Sequence, residues 1–144
     1  MGNNDDLILI RGLPGAGKTT FAQMLNSKIW DVHIEYICTD DFFMVDGEYK
    51  FDPSKLVEFH TKCLQQVEWW MMPTKDGTNP IHTIFVHNTF TRFDIEMKPY
   101  YDLAKEYNWN IHSLIMENRH SSSNVHNVPE RTIANMRDRF EVVL

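Results

Sequence analysis

Between residues 12 and 19 the chain reads Gly-Leu-Pro-Gly-Ala-Gly-Lys-Thr, which fits GxxxxGK followed by Ser or Thr. Glycines at 12, 15 and 17 open backbone conformations closed to residues with a Cβ, so successive N–H groups can point into one hollow and meet phosphate oxygens. A helix starting at Lys18 adds its positive dipole end. The expected ligand contacts come from Gly12, Pro14, Gly15, Ala16, Gly17, Lys18, Thr19 and Thr20. Lys18 is expected to reach the outer phosphates of a nucleoside triphosphate, and the Thr19 hydroxyl to ligate Mg²⁺ bridging them.

Two other stretches carry side chains suited to work beside such a hollow. Thr39-Asp40-Asp41 and His87-Asn88-Thr89 each follow a predicted strand. In open parallel sheets ligands collect at the carboxyl ends of the strands, so both are expected to flank the phosphate site. A carboxylate there can accept the proton of an attacking hydroxyl, which transfer to an alcohol requires and transfer to water does not. Asp40 is the candidate base. Asp41 is expected to face away, as neighbours do on extended backbone.

The elements that must position these groups alternate in type. Residues 7 to 10 are four consecutive branched aliphatics, suited to a strand buried on both faces. The helix from Lys18 places Phe21, Met24 and Leu25 on one face. Residues 33 to 38 alternate and end a second strand near Thr39, and Asp46-Gly47 marks a tight turn. Asp52-Pro53 is a helix start, with a capping carboxylate and a proline where its missing donor costs nothing. Leu56, Phe59, Cys63, Leu64, Val67 and Trp70 then keep helical spacing and read as core. A turn-rich stretch, 74 to 80, feeds a strand ending at His87. A helix from about Glu96 or Pro99 to Tyr107, a strand at 110 to 116 and a helix opened by Pro129 complete the pattern. In that last helix Ile133, Met136 and Phe140 share a face. With right-handed crossovers this is a parallel sheet covered on both sides, a three-layer α/β/α sandwich.

Length and charge limit the partners. At 144 residues the chain suits one domain, 1–144. A net charge of −6 disfavours a protein that coats nucleic acid, so any such contact needs a local basic patch. Cys38 and Cys63 lack metal-ligand spacing and read as reduced core thiols. No run approaches a membrane span, and the expected setting is cytoplasmic, with no membrane partner. Trp69, Trp70 and the last helix could serve a dimer, but the sequence leaves the oligomeric state open.

The ordered set RGLPGAGKTTFA, CTDDFF, GEYKFDPSKL, NTFTRFDIEMKPYYDLA and HNVPERTIANMRDRFE resembles the small P-loop kinases related to phage polynucleotide 5′-kinase. It is most similar to the branch that includes the kinase-like domain of an animal ubiquitin-ligase-binding protein. The resemblance runs from Leu7 to Glu141. It implies a P-loop NTPase fold of the kinase type, ATP and Mg²⁺ as nucleotide and cation, and Asp40 as the base acting on a 5′-hydroxyl. It also implies a lid at about 117–128 carrying Arg119 toward the transferring phosphoryl, where a planar guanidinium stabilises the spread charge. Arg131 and Arg137 are the reserves for that role.

Three departures from the family pattern stand out. Phe43 replaces an arginine that grips the acceptor's phosphate, His87 replaces an acidic residue at the end of the third long strand, and Ser123 replaces a second lid arginine. The expected activity is γ-phosphoryl transfer from ATP to a polynucleotide 5′-hydroxyl or nucleotide-type hydroxyl. Phe43 and Trp109, as base-stacking aromatics, keep open a small-molecule kinase acting on a nucleoside or sugar. His87 and Ser123 keep open a nucleotide-binding interaction module without transfer.

Overall fold

A computed structural model of the chain describes residues 4–28, 33–117 and 128–142. In chain order its elements are β1 (Asp6–Arg11), α1 (Lys18–Lys28), β2 (Ile34–Ile37), a tight 3-10 turn (Thr39–Phe43), β3 (Met44–Val45) and β4 (Glu48–Tyr49). There follow a second 3-10 turn (Pro53–Lys55), α2 (Leu56–Met71), β5 (Thr83–Asn88), a wide π-helical turn (Phe93–Met97), α3 (Lys98–Tyr107), β6 (Asn110–Ile115) and α4 (Glu130–Arg139). The main sheet is four-stranded in the order β2-β5-β1-β6. All three pairings are parallel.

That order fixes the layers. From β1 the chain steps across β5 to β2, and thereafter it steps back toward β6. Right-handed crossovers then put α1 on one face and α2 and α3 on the other. The packing agrees: Leu7, Leu9, Ile37, Ile84 and Val86 form one core with Cys63, Val67 and Met71 of α2 and with Met97, Tyr100, Leu103 and Ala104 around α3. Fully burying each large aliphatic here stabilises the fold by about 2 kcal/mol. The fold is the expected parallel α/β sandwich.

Local signals explain most boundaries. The Asp52 carboxylate accepts from the Ser54 N–H at 2.9 Å and from its hydroxyl at 2.6 Å, and Pro53 opens the turn into α2. Asn108 ends α3 in the left-handed region, φ 58°, with its N–H turned back to the Ala104 and Lys105 carbonyls. Leu56, expected in the core, is exposed, because the 3-10 turn before it holds the helix start away from the sheet. Ile133, Met136 and Phe140 of the last helical segment share a half-buried face, as their spacing requires. Both cysteines are free and buried.

Candidate active site

The phosphate-type loop joins β1 to α1. Gly15 and Gly17 have φ of 83° and 94°, where a side chain would strain the backbone. Gly12 is required for a different reason: a Cβ on it would stand 2.7 Å from the Met116 carbonyl oxygen and 3.0 Å from the Ala16 Cβ. The Gly12 N–H donates to the Thr89 carbonyl at 3.3 Å, which ties the loop to the end of β5. Gly12→Ala is therefore expected to cost about 1–3 kcal/mol through backbone displacement. Urea unfolding would read it, and a midpoint equal to that of the parent would reject this account of the glycine.

Lys18 opens α1 and folds over the loop. Its Nζ donates to the carbonyls of Gly12 at 2.6 Å and Leu13 at 3.0 Å. Burial lowers its ammonium pKa to about 8, although the charge of Asp40 works in the opposite direction. A bound polyanion favours the charged ammonium, so triphosphate affinity should weaken as pH rises through about 8. Between pH 7 and 9 the loss is about tenfold if only the ammonium binds. Titration of a fluorescent nucleotide across that range measures it, and a flat profile would contradict it.

Across the gap, the turn Thr39–Phe43 carries the two carboxylates. It is pinned by a buried amide: Asn88 Oδ1 accepts the Thr39 N–H at 2.9 Å, while Asn88 Nδ2 donates to Cys63 Sγ at 3.8 Å. Asp40 therefore starts from a fixed point at the carboxyl end of β5. Tyr49 donates its hydroxyl to Asp40 Oδ1 at 3.1 Å. The Asp46-Gly47 turn delivers this tyrosine by pairing Tyr49 with Met44, so the hairpin expected from the sequence also supplies an unexpected orienting group. Asp41 lies on the exposed side of the turn. The backbone there is helical in type rather than extended, so the alternation expected for neighbours on a strand does not apply.

Two aromatics expected to stack a base do not stand free to do so. Phe43 is 2% exposed and packs on Phe59 at 4.6 Å, Phe51 at 5.1 Å and Tyr49 at 6.0 Å. Trp109 belongs to the main core.

His87 closes the site from β5. The register sets it opposite Ile10, two residues before Gly12. The residue is 8% exposed, and its Nδ1 is buried with no hydrogen-bond partner among the described residues. Burial, and then the charge of Lys18, lower its pKa to about 4 despite the opposing effect of Asp40. The imidazole is thus neutral near pH 7 and lies within electrostatic reach of both the lysine and the candidate base.

Behind the loop lies a residue that hydrophobic pattern alone did not single out. Arg11, the last residue of β1, is completely buried. Its Nε and Nη2 donate to the Phe90 carbonyl at 3.1 and 2.9 Å, Nη2 also donates to the Glu141 carbonyl, and the guanidinium lies 4.6 Å from the Phe140 ring centre. Phe90 turns its carbonyl inward by adopting φ 49°, an unusual conformation for a bulky residue. The Thr91 carbonyl accepts the Glu141 N–H at 2.7 Å, and its hydroxyl accepts from Arg139 Nε at 3.2 Å. The segment after α4 is thereby fastened to the strand that leads into the loop. Of the expected lid, residues 118 to 127, with Arg119 and Ser123, lie outside the described residues; Arg131 and Arg137 are exposed. Arg139, rather than either reserve, makes the contact with the β5 loop.

Among the described residues no group of three or more His, Cys, Asp or Glu side chains is placed to hold a metal alone. Nor is any described helix long and apolar enough to cross a membrane.

The sheet order, the glycine loop and the lysine at the head of α1 define the fold of the P-loop kinases. An APS kinase, CysC, from Mycobacterium tuberculosis superposes with a TM-score of 0.55 at 10% identity, over 94% of this chain and 96% of that one. The structure of a Pnkp1/Rnl/Hen1 complex contains a chain matching with a TM-score of 0.52 at 18% identity, over 94% of this chain and 40% of the other. In sequence the chain is similar to human NEDD4-binding protein 2, with 34% identity over 106 residues, which is the branch indicated by the ordered motifs. That match takes in 73% of this chain but only 5% of the relative's length. No protein-family profile matches the sequence.

Proposed function

We propose that the chain is an ATP-dependent kinase that moves the γ-phosphoryl to a hydroxyl acceptor, a polynucleotide 5′-hydroxyl or a nucleotide-type hydroxyl. The observation that carries this reading is the pairing of Lys18, on the glycine loop, with Asp40, on a turn held by Asn88, close enough that their charges interact. A phosphate grip and a base facing one gap suit transfer to an alcohol.

In this reading Lys18 leaves the Gly12 and Leu13 carbonyls for the outer phosphates, and loop N–H groups with the α1 amino end hold the rest of the tail. Asp40, oriented by Tyr49, accepts the acceptor's proton as its oxygen bonds to the γ-phosphorus. The bond from that phosphorus to the β,γ-bridging oxygen breaks, and ADP leaves. Arg119 stabilises charge on the phosphoryl as it transfers. The loop, with Gly15 and Gly17 both at positive φ at the amino end of α1, suits a triphosphate with its cation, and the exposed Thr19 hydroxyl would hold that cation. When bound, the cation would neutralise phosphate charge.

One observation favours a smaller acceptor as the second reading. The place of a phosphate-gripping arginine is taken by Phe43, which is locked in the aromatic cluster and offers no cation. Labelled ATP presented with 5′-hydroxyl oligonucleotides, nucleosides and sugars separates the readings. Label on oligonucleotides is expected. Label on small acceptors alone would move the acceptor class, and tight nucleotide binding without transfer to any of them would overturn the kinase reading.

A further inference from the structure

We propose that His87 is a nitrogen ligand, through Nε2, to the divalent cation that accompanies the nucleotide, and that the chain consequently favours manganese over magnesium. This rests on the nucleotide reading above. The position comes first: His87 stands at the carboxyl end of β5, in register with Ile10 just ahead of the glycine loop, and feels the charges of Lys18 and Asp40. Nδ1 is sealed from solvent, so a ligand can reach this ring only through its other nitrogen.

Packing alone gives a poor account of the residue. An unpaired buried polar atom costs about 1–3 kcal/mol, and a leucine or phenylalanine would fill the same space without that cost. A favourable contact at Nε2 would offset it. The chemistry of the donor then sets the cation. Magnesium favours carboxylate, phosphate and water oxygens, whereas imidazole suits later first-row cations, and affinity for a nitrogen-containing site rises from manganese onward. Among the described residues no group of three or more His, Cys, Asp or Glu side chains stands by to restore the preference for a hard cation.

The test uses the full chain with a non-hydrolysable ATP analogue. Pulsed electron paramagnetic resonance of the Mn²⁺ complex should show the coupling of a directly bound imidazole nitrogen. Labelling the histidines with ¹⁵N should change that signal to the ¹⁵N pattern, which distinguishes it from adenine or lysine nitrogen. His87→Asp and His87→Gln should both lose it, and His87→Asp should shift the Mn²⁺-to-Mg²⁺ ratio of analogue affinities toward Mg²⁺ by several-fold. Analogue bound with Mn²⁺ but without histidine coupling in the parent overturns this inference alone. An unchanged ratio in His87→Asp overturns the cation preference. Failure of the analogue to bind with either cation overturns the inference and the nucleotide reading together.

Discussion

Asp40→Asn is expected to lower phosphoryl transfer by about 10²–10⁴-fold while leaving nucleotide affinity nearly intact. Asparagine keeps the size of the side chain and an oxygen that can accept from Tyr49, so the turn between Asn88 and the β3–β4 hairpin keeps its shape. What is lost is the ability to take a proton. Asp40 acts on Lys18 through its charge, so the grip on the triphosphate changes far less than the transfer step. Single-turnover transfer and analogue binding, measured on the same preparation, separate the two effects. Turnover equal to the parent's would remove Asp40 from the chemistry, and a large parallel loss of binding would recast it as a residue that shapes the cradle.

Acid should unfold the metal-free protein partly through His87. The folded protein holds this ring neutral down to about pH 4, while the unfolded chain protonates near 6.5. Its contribution is therefore fully present above 6.5 and is lost as pH falls toward 4, because the unfolded state binds the extra proton. The ring is mostly buried, and the shift corresponds to about 3 kcal/mol over that window. Burial also lowers the pKa of His60, which adds a loss of the same sign. Subtracting a His87→Gln series from the parent isolates the first histidine. Across urea curves at pH 6.5, 5.5 and 4.5 the parent should lose stability that the variant keeps, so their difference shifts steadily in the variant's favour as pH falls; parallel series would show that His87 does not bind its proton as described.

The parts of this site that were legible in the sequence are those whose cause is local. Gly15 and Gly17 need their left-handed conformations whatever surrounds them, and Asp52-Pro53 caps its own turn. Strand alternation and crossover handedness were enough for the layers. What remained hidden depends on partners far along the chain. Arg11 carries no local signal of its role, because the atoms it holds belong to residues 79 and 130 positions away. Tyr49 reaches Asp40 only because a hairpin reverses the chain between them. The second strand was expected to run to residue 38 and stops at Ile37. Two residues beyond Ile37, Asn88, from another strand, takes the Thr39 N–H. The start of α3 was ambiguous because a wide turn precedes it, with Glu96 accepting from Arg92 N–H and the Thr91 hydroxyl, each at 2.7 Å.

The guanidinium beneath the glycine loop makes the tail of the described chain an anchor for its first strand. Cutting the polypeptide back to Arg139 would take away both the Phe140 ring and the Glu141 carbonyl. A permanently charged group would then be left in the interior with the Phe90 carbonyl as its one described acceptor. Such a deletion spares every residue assigned a chemical task, yet its damage would emerge at the opposite end of the sequence, where β1 hands the chain to Gly12.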